Sequence, residues 1–211
     1  MDLKGKKVMV LGLARTGRDT ARFLAQEGAV VLVSDLRPAA DLQIELDGLA
    51  GLPIQYHLGG EDLNWLEGVE MVVPSPGVPM NNLLLQEAGQ RGVEIISEIE
   101  LAYRSLPLPL IAITGTNGKS TTTTLIGEIL KANGTKTFVG GNLGVPLIEC
   151  GAANWDWGVV EVSSFQLEWV KWFRPRIAVL LNISEDHLDR YPDLAAYADA
   201  KQRIFAAQDE E

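Results

Sequence analysis

Between Gly115 and Thr121 the chain reads Gly-Thr-Asn-Gly-Lys-Ser-Thr, a run that joins two glycines, one ammonium group and three hydroxyls. Gly115 and Gly118 allow a turn so tight that successive N–H groups aim at one anion. Lys119 supplies the charge that neutralises β- and γ-phosphates, and the hydroxyl of Ser120 or Thr121 suits a magnesium ion. Thr116 and Asn117 lie inside the same turn. The apolar run ending at Thr114 reads as a strand and the residues from about Ser120 to Ala132 as a helix, whose positive end adds to the attraction for phosphate. These residues read as a site for ATP and Mg2+. The standard P-loop spacing is not met, because it requires a glycine five positions before Gly118 and Ile113 stands there.

Two later stretches suit the same site. Glu161 falls at the end of an apolar run, followed by Ser163-Ser-Phe-Gln166, and the polar group Asn182-Ile-Ser-Glu-Asp-His187 follows another. In open parallel sheets ligands bind beyond the carboxyl ends of strands, so three strand ends would bring Lys119, Glu161 and His187 to one edge. Magnesium prefers oxygen, which makes Glu161 a natural direct ligand; His187 would bind as a neutral imidazole. Taken singly, Glu161 reads equally as a capped strand end and His187 as a satisfied loop histidine.

A third group lies near the start. Gly12-Leu-Ala-Arg-Thr16-Gly17 follows a strand and opens a helix, and Asp35 ends the next strand. This approaches the dinucleotide fingerprint, in which an acid holds a ribose hydroxyl. Ala14, however, replaces the middle glycine that lets a pyrophosphate approach the backbone. A merely tight turn and a dinucleotide site both remain open on these residues alone.

The elements that must position these groups form a repeating pattern. Strands fit Val8–Leu11, Val30–Ser34, Met71–Val73 and Val93–Ile96, with helices over Gly17–Glu27, about Asn82–Arg91 and about Glu98–Arg104. Short apolar strands alternating with helices indicate a parallel sheet covered on both faces. Ser105-Leu-Pro-Leu-Pro109 then interrupts the chain, since two prolines at this spacing favour an extended link. The pattern restarts with strands over Leu110–Thr114, Thr135–Val139, Gly158–Val162 and Ile177–Asn182 and a helix over Leu194–Ala207. We therefore expect an α/β protein with a Rossmann-like domain over 1–105 and a P-loop-type α/β ATP-binding domain over 106–211. Four strands make a small domain, and nothing before Glu211 marks its finish, so the second domain is expected to be incomplete. Trp169 and Trp172, three apart, share a helical face and read as packing residues; His57 is given no role.

Composition sets outer bounds. The 211 residues are 46% hydrophobic and 22% charged, with a net charge of −10, which fits a soluble globular protein. Divided at Ser105, each half carries nine basic residues, against 15 and 13 acidic ones, so no basic half is hidden and no nucleic-acid partner is expected. Cys150 is the sole cysteine, which excludes an intrachain disulfide and fits a reducing compartment. The apolar run Val8–Ala14 is too short for a membrane span and reads as a buried first strand, so no membrane partner is expected and the protein is expected to be a cytoplasmic monomer.

Taken together, GTNGKST, VEVSSFQLE, NISEDHLDRY and AYADAKQRIF occur in this order, and essentially the whole chain resembles the Mur ligase family, most of all its D-glutamate-adding branch. The resemblance implies an ATP-dependent amide ligase acting on UDP-N-acetylmuramoyl-L-alanine and D-glutamate in peptidoglycan precursor synthesis, through an acyl phosphate. It implies that Lys119 contacts ATP phosphate, that Glu161 and His187 bind magnesium, and that Lys201 is a carbamylated catalytic lysine. It also implies a uridine-diphosphate pocket from Thr16, Asp35, Arg37 and Ser75-Pro76-Gly77. Asn142, Ser163 and Gln166 would reach the sugar–peptide part. By the same resemblance a third domain is missing, so this chain alone is expected to turn over weakly or not at all. An L-alanine-adding or folylpolyglutamate synthase-like ligase and a non-catalytic dinucleotide-binding module are the alternatives.

Overall fold

The computed structural model describes residues 1–151 and 154–208. Two compact units divide them, Met1–Glu98 and Ile99–Glu211.

The first unit is a five-stranded sheet in the order β3-β2-β1-β4-β5, every pairing parallel. Its strands are β1 (Lys7–Leu11), β2 (Val30–Asp35), β3 (Ile54–Leu58), β4 (Met71–Pro74) and β5 (Glu94–Ile95). Helices α1 (Arg15–Gln26), α2 (Gln43–Asp47) and α3 (Leu83–Gln90) connect them. Central β1 and β4 are buried almost throughout because helices cover both faces of a parallel sheet. The chain builds outward from β1 through β2 to β3, then returns to place β4 on the other side of β1. That reversal opens a crevice beyond the carboxyl ends of β1 and β4.

The second unit repeats the logic. Its strands β6 (Leu110–Thr114), β7 (Thr137–Gly141), β8 (Trp157–Glu161) and β9 (Ile177–Leu180) form a parallel sheet in the order β7-β8-β6-β9. Helix α5 (Lys119–Ala132) covers it so closely that a Cβ on Gly127 would lie 2.4 Å from Val139 Cγ2. Strand β6 is buried at every position and has β8 on one side and β9 on the other. The turn after β6 therefore opens between the ends of β8 and β9.

Helix α4 (Glu98–Ser105) begins at the boundary. The proline link at 105–109 predicts a division after Ser105, whereas the compact units divide at Glu98. The cause is Glu100. Its fully buried carboxylate accepts the backbone N–H groups of Lys171, Trp172 and Phe173, at 3.1, 2.9 and 2.8 Å, and pairs with Arg104 at 2.6 Å.

Smaller departures from the sequence reading have local reasons. Strand β7 lies two residues later than expected and runs into Gly140 and Gly141, which pair with Val160 and Glu161. A Cβ on Gly141 would meet the Glu161 carbonyl at 2.4 Å, so only glycine lets these two strand ends approach. The last helix, α7, spans Leu194–Gln202 and tightens into a 3₁₀ turn over Arg203–Phe205. The four-residue helix α6 (Ser164–Leu167) and edge strand β3 were not among the elements expected.

Candidate active site

The turn predicted to hold phosphate is shaped by one side chain from the neighbouring strand end. Asn182, just past β9, accepts Asn117 N–H through Oδ1 at 3.0 Å and donates from Nδ2 to the Asn117 carbonyl at 3.0 Å. Its own carbonyl accepts Thr116 N–H at 3.0 Å. Thr116 Oγ1 accepts Ser184 N–H at 3.0 Å, which ties the turn to the same loop. Gly115 and Gly118 both have positive φ, 151° and 85°, and a Cβ on Gly115 would come within 3.1 Å of Leu181 Cβ.

Gly118 caps α5 without a side chain, and the first bond of the helix runs from Thr122 N–H to the Gly118 carbonyl. The amides of Lys119, Ser120 and Thr121 precede that bond and have no intrahelical acceptor. They form an anion-binding end. Lys119 arches over the turn and donates to the Thr116 carbonyl at 2.8 Å.

Oxygen donors lie beside those amides. Ser120 Oγ donates to Glu161 Oε2 at 2.6 Å, and Asn142 Nδ2 donates to Glu161 Oε1 at 2.8 Å. The structure thus brings together Ser120, Glu161 and Asn142. Glu161 is 3% exposed. Among the described residues no group of three His, Cys, Asp and Glu side chains could hold a metal alone. One carboxylate beside a hydroxyl still fits magnesium, which retains waters and takes further oxygens from substrate phosphates.

Lys201 and His187 approach the turn from another direction. Lys201 is 1% exposed, donates to the Gly115 carbonyl at 2.9 Å and lies over the Tyr197 ring at 4.6 Å. Burial, reinforced by the Lys119 ammonium, lowers its pKa to about 8 despite the opposing pull of Asp186 and Glu161. Tyr197, whose hydroxyl burial pushes up, is the acceptor 3.4 Å from Thr116 Oγ1. His187 packs on Phe165 and edge-on to Tyr197, with centroid distances of 4.8 and 6.1 Å. Its imidazole faces Asp186 at 3.7 Å, and among the described residues no polar contact joins it to Glu161. It is the one non-glycine among the described residues at positive φ, 53°.

Ser163 and Gln166 face each other rather than standing free. They form the capping box of α6, with Ser163 Oγ accepting Gln166 N–H and Gln166 Oε1 accepting Ser163 N–H.

In the first unit the fingerprint residues surround the β1–β4 crevice. Gly12 has a φ of 82°, and Ser75 Oγ donates to its carbonyl at 2.7 Å. A Cβ on Gly17 would overlap that carbonyl at 1.9 Å, which accounts for the second glycine. Helix α1 starts with Thr16 half-buried in its first turn and no side-chain cap at Ala14. Asp35 accepts Leu13 N–H at 2.7 Å and grips Arg37 bidentately at 3.0 and 2.8 Å. Burial raises the Asp35 pKa, but the bonds from Arg37 and Leu13 outweigh it and leave the carboxyl below its ordinary value. Both of its oxygens are engaged, so its geometry orients Arg37 rather than awaiting a ribose. Pro76 and Gly77 continue the Ser75 turn, closed by Val78 N–H to the Ser75 carbonyl at 2.9 Å.

Sequence reasoning missed Asn182, Phe165 and Tyr197. Asn182 had a usable signal, a polar residue directly after an apolar strand. The two aromatics had none that distinguishes them from core.

Residues 6–97 match the family described as Mur ligase MurD-like, N-terminal domain, and residues 113–211 match the Mur ligase middle domain. A UDP-N-acetylmuramoylalanine–D-glutamate ligase of Trichlorobacter lovleyi is 53% identical over 210 residues, covering 99% of this chain and 47% of its own length. The enzyme of the same name from Geobacter metallireducens is 55% identical over 211 residues, with the same coverage of 99% and 47%. The chain thus spans about half the length of these relatives. Among solved structures, a murein peptide ligase from Psychrobacter arcticus shares the fold, with a TM-score of 0.52 at 19% identity over 95% of this chain and 46% of its own.

Proposed function

Because the chain belongs to the Mur ligase family, we propose that it is the substrate- and ATP-holding part of a ligase joining D-glutamate to UDP-N-acetylmuramoyl-L-alanine. The observation that carries this reading is the Ser120–Glu161 pair beside the open amides of α5. Those groups suit a triphosphate with its divalent ion and have no evident use without one. The D-glutamate choice rests on the names of the relatives, whose sequences match both units at once.

A carboxylate is a poor electrophile at neutral pH and must be activated. Its oxygen attacks the γ-phosphorus of ATP, and ADP leaves. The amine nitrogen of D-glutamate then attacks the acyl carbon, inorganic phosphate departs, and the ammonium formed loses its proton. Two anions must meet in the first step, so the protein's task is positioning and charge neutralisation. The amides of Lys119, Ser120 and Thr121 orient the phosphates, and Lys119, released from the Thr116 carbonyl, offsets their charge. Magnesium, held by Ser120 and Glu161, would withdraw charge from the transferring phosphoryl oxygens. His187 and Lys201 serve the same edge, Lys201 as a carbamate. The β1–β4 crevice takes the uridine diphosphate, with Arg37 and the amides at the start of α1 on its phosphates and Thr16 and the Ser75–Gly77 turn beside it. By the family resemblance, Asn142, Ser163 and Gln166 are the residues of the second unit proposed to contact the sugar–peptide part. Ala14 and the engaged carboxylate of Asp35 weigh against the dinucleotide alternative.

Calorimetry of the 211-residue chain tests both sites. Lys119→Ala and Glu161→Gln are each expected to weaken Mg-ATP binding about tenfold or more, while leaving UDP-N-acetylmuramoyl-L-alanine binding unchanged. Arg37→Ala is expected to do the reverse. Binding of Mg-ATP indifferent to Lys119→Ala, or tight NAD binding with none of the UDP compound, would overturn the assignment.

A further inference from the structure

His187 occupies a backbone conformation that non-glycine residues avoid, and such strain persists only where the surroundings impose it. The turn that carries it is closed by Arg190 and Tyr191, whose N–H groups both donate to the His187 carbonyl at 3.0 Å. Arg190 is anchored by Glu168, just past α6. The 5%-exposed carboxylate accepts Arg190 Nε at 2.9 Å and Nη2 at 2.5 Å, and the Tyr191 hydroxyl at 2.7 Å. Arg203, beyond α7, donates to the Glu168 carbonyl, so three segments converge there.

The guanidinium so fixed lies 4.4 Å from the centre of Phe165, the ring on which His187 also packs. Phe165 and Tyr191 are themselves stacked at 6.1 Å, and Tyr191 packs on Tyr197 at 5.4 Å. Tyr197 in turn touches both Thr116 of the phosphate turn and Lys201. A continuous series of contacts thus runs from a largely buried ion pair to the Gly115–Thr121 turn. Packing alone would be served by apolar residues at 168 and 190, since a buried ion pair is seldom more stable than its apolar replacement. What the pair adds is direction, because a bidentate fork fixes the plane of the guanidinium.

We propose that Glu168 and Arg190 are positioning residues for His187, holding its imidazole on the Phe165–Tyr197 face at the mouth of the phosphate turn. This rests on the reading of that turn as a nucleotide site only for its consequence, not for the geometry.

The chain has two histidines, His57 and His187. His57 stacks on Trp65 in the first unit at 4.6 Å and serves as an internal reference. Ring proton and carbon resonances of both are followed by NMR in the 211-residue chain and in Glu168→Gln and Arg190→Lys. Arg190→Lys keeps the charge and removes the fork, which preserves the fold if Glu168→Gln does not. In both variants the ring-current-shifted His187 signals are expected to move toward free imidazole values while His57 stays fixed. Mg-ATP binding is expected to weaken about tenfold, by as much as in His187→Ala, with no further loss when the two changes are combined. Unmoved His187 signals in a folded Arg190→Lys chain would overturn the positioning role. Moved signals with unchanged Mg-ATP affinity would uphold it and overturn instead the placing of His187 at the nucleotide.

Discussion

Lys201 is a residue whose surroundings its local sequence does not reveal, since nothing in Ala200-Lys-Gln202 separates it from a solvated helix lysine except family resemblance. In the fold it is buried over Tyr197 with a pKa of about 8, against 10.5 for an ordinary lysine. The unfolded chain therefore binds more protons than the native one between those two values. Stability contributed by this group rises as pH increases from about 8 to about 10.5, and below 8 the burial cost is constant. The span corresponds to roughly 3 kcal/mol. In CO2-free buffer, urea unfolding from pH 7.5 to 10 is expected to show the wild-type chain gaining on Lys201→Met, and a constant difference would refute it. The same depressed pKa raises the fraction of neutral amine, the form that adds CO2 and loses a proton to give a carbamate. With ¹³C-bicarbonate, a carbamate carbon resonance absent from Lys201→Met is the expected signature. By contrast, the turn Gly115–Thr121 was legible because its chemistry is contiguous. Asn182 and Tyr197 complete it from 65 and 81 residues away, a distance that no local pattern spans.

At the scale of elements, legibility followed burial. Strands β1, β2, β4, β6 and β8 are nearly continuous apolar runs because both faces of the sheet are covered. Edge strand β3, Ile-Gln-Tyr-His-Leu, is mostly exposed or half-buried and has no such run. Helix α6 is set by a capping box rather than by periodicity, and its Ser and Gln read from sequence as ligands. Helix α4 reads as a helix, but the proline link that follows it masks its attachment to the second unit, where the Glu100 carboxylate accepts N–H groups that lie 71 to 73 residues later. Glutamine at 100 would turn an NH2 toward some of those N–H donors and remove the negative charge that faces the Arg104 guanidinium in a buried site. Glu100→Gln is expected to cost about 3 kcal/mol, or roughly 6–12 °C of melting temperature in a chain of this size. Glu128→Gln, which breaks only the exposed pair with Lys131, is expected to cost less than about 0.5 kcal/mol. Melting followed by tryptophan fluorescence reports mainly the second unit, where Trp155, Trp157, Trp169 and Trp172 reside. Equal shifts for the two variants would show that Glu100 does not anchor α4.

For the whole molecule, two opposed features decide how copies of the chain meet. Among the described residues strand β9 pairs only with β6, and its residues Ile177–Leu180 are exposed or half-buried. An apolar edge of this kind is a template for pairing with another strand. Against it stands a net charge of −10, spread over both halves of the sequence, which keeps copies apart while the field reaches across solvent. That reach is about 10 Å at 0.1 M salt and about 3 Å at 1 M, compared with strands that must approach to roughly 5 Å to pair. Repulsion therefore wins at low ionic strength, and the edge wins once salt shortens the field below the pairing distance. Sedimentation velocity is expected to find monomer at 0.1 M salt and concentration-dependent association at 1 M. Ile177, 47% exposed at the start of that edge, is the position to change, since a lysine there adds a charge that must be desolvated on pairing without disturbing the core. Ile177→Lys is expected to remain monomeric at both salt concentrations. Association that persists unchanged in the variant would place the contact elsewhere than β9.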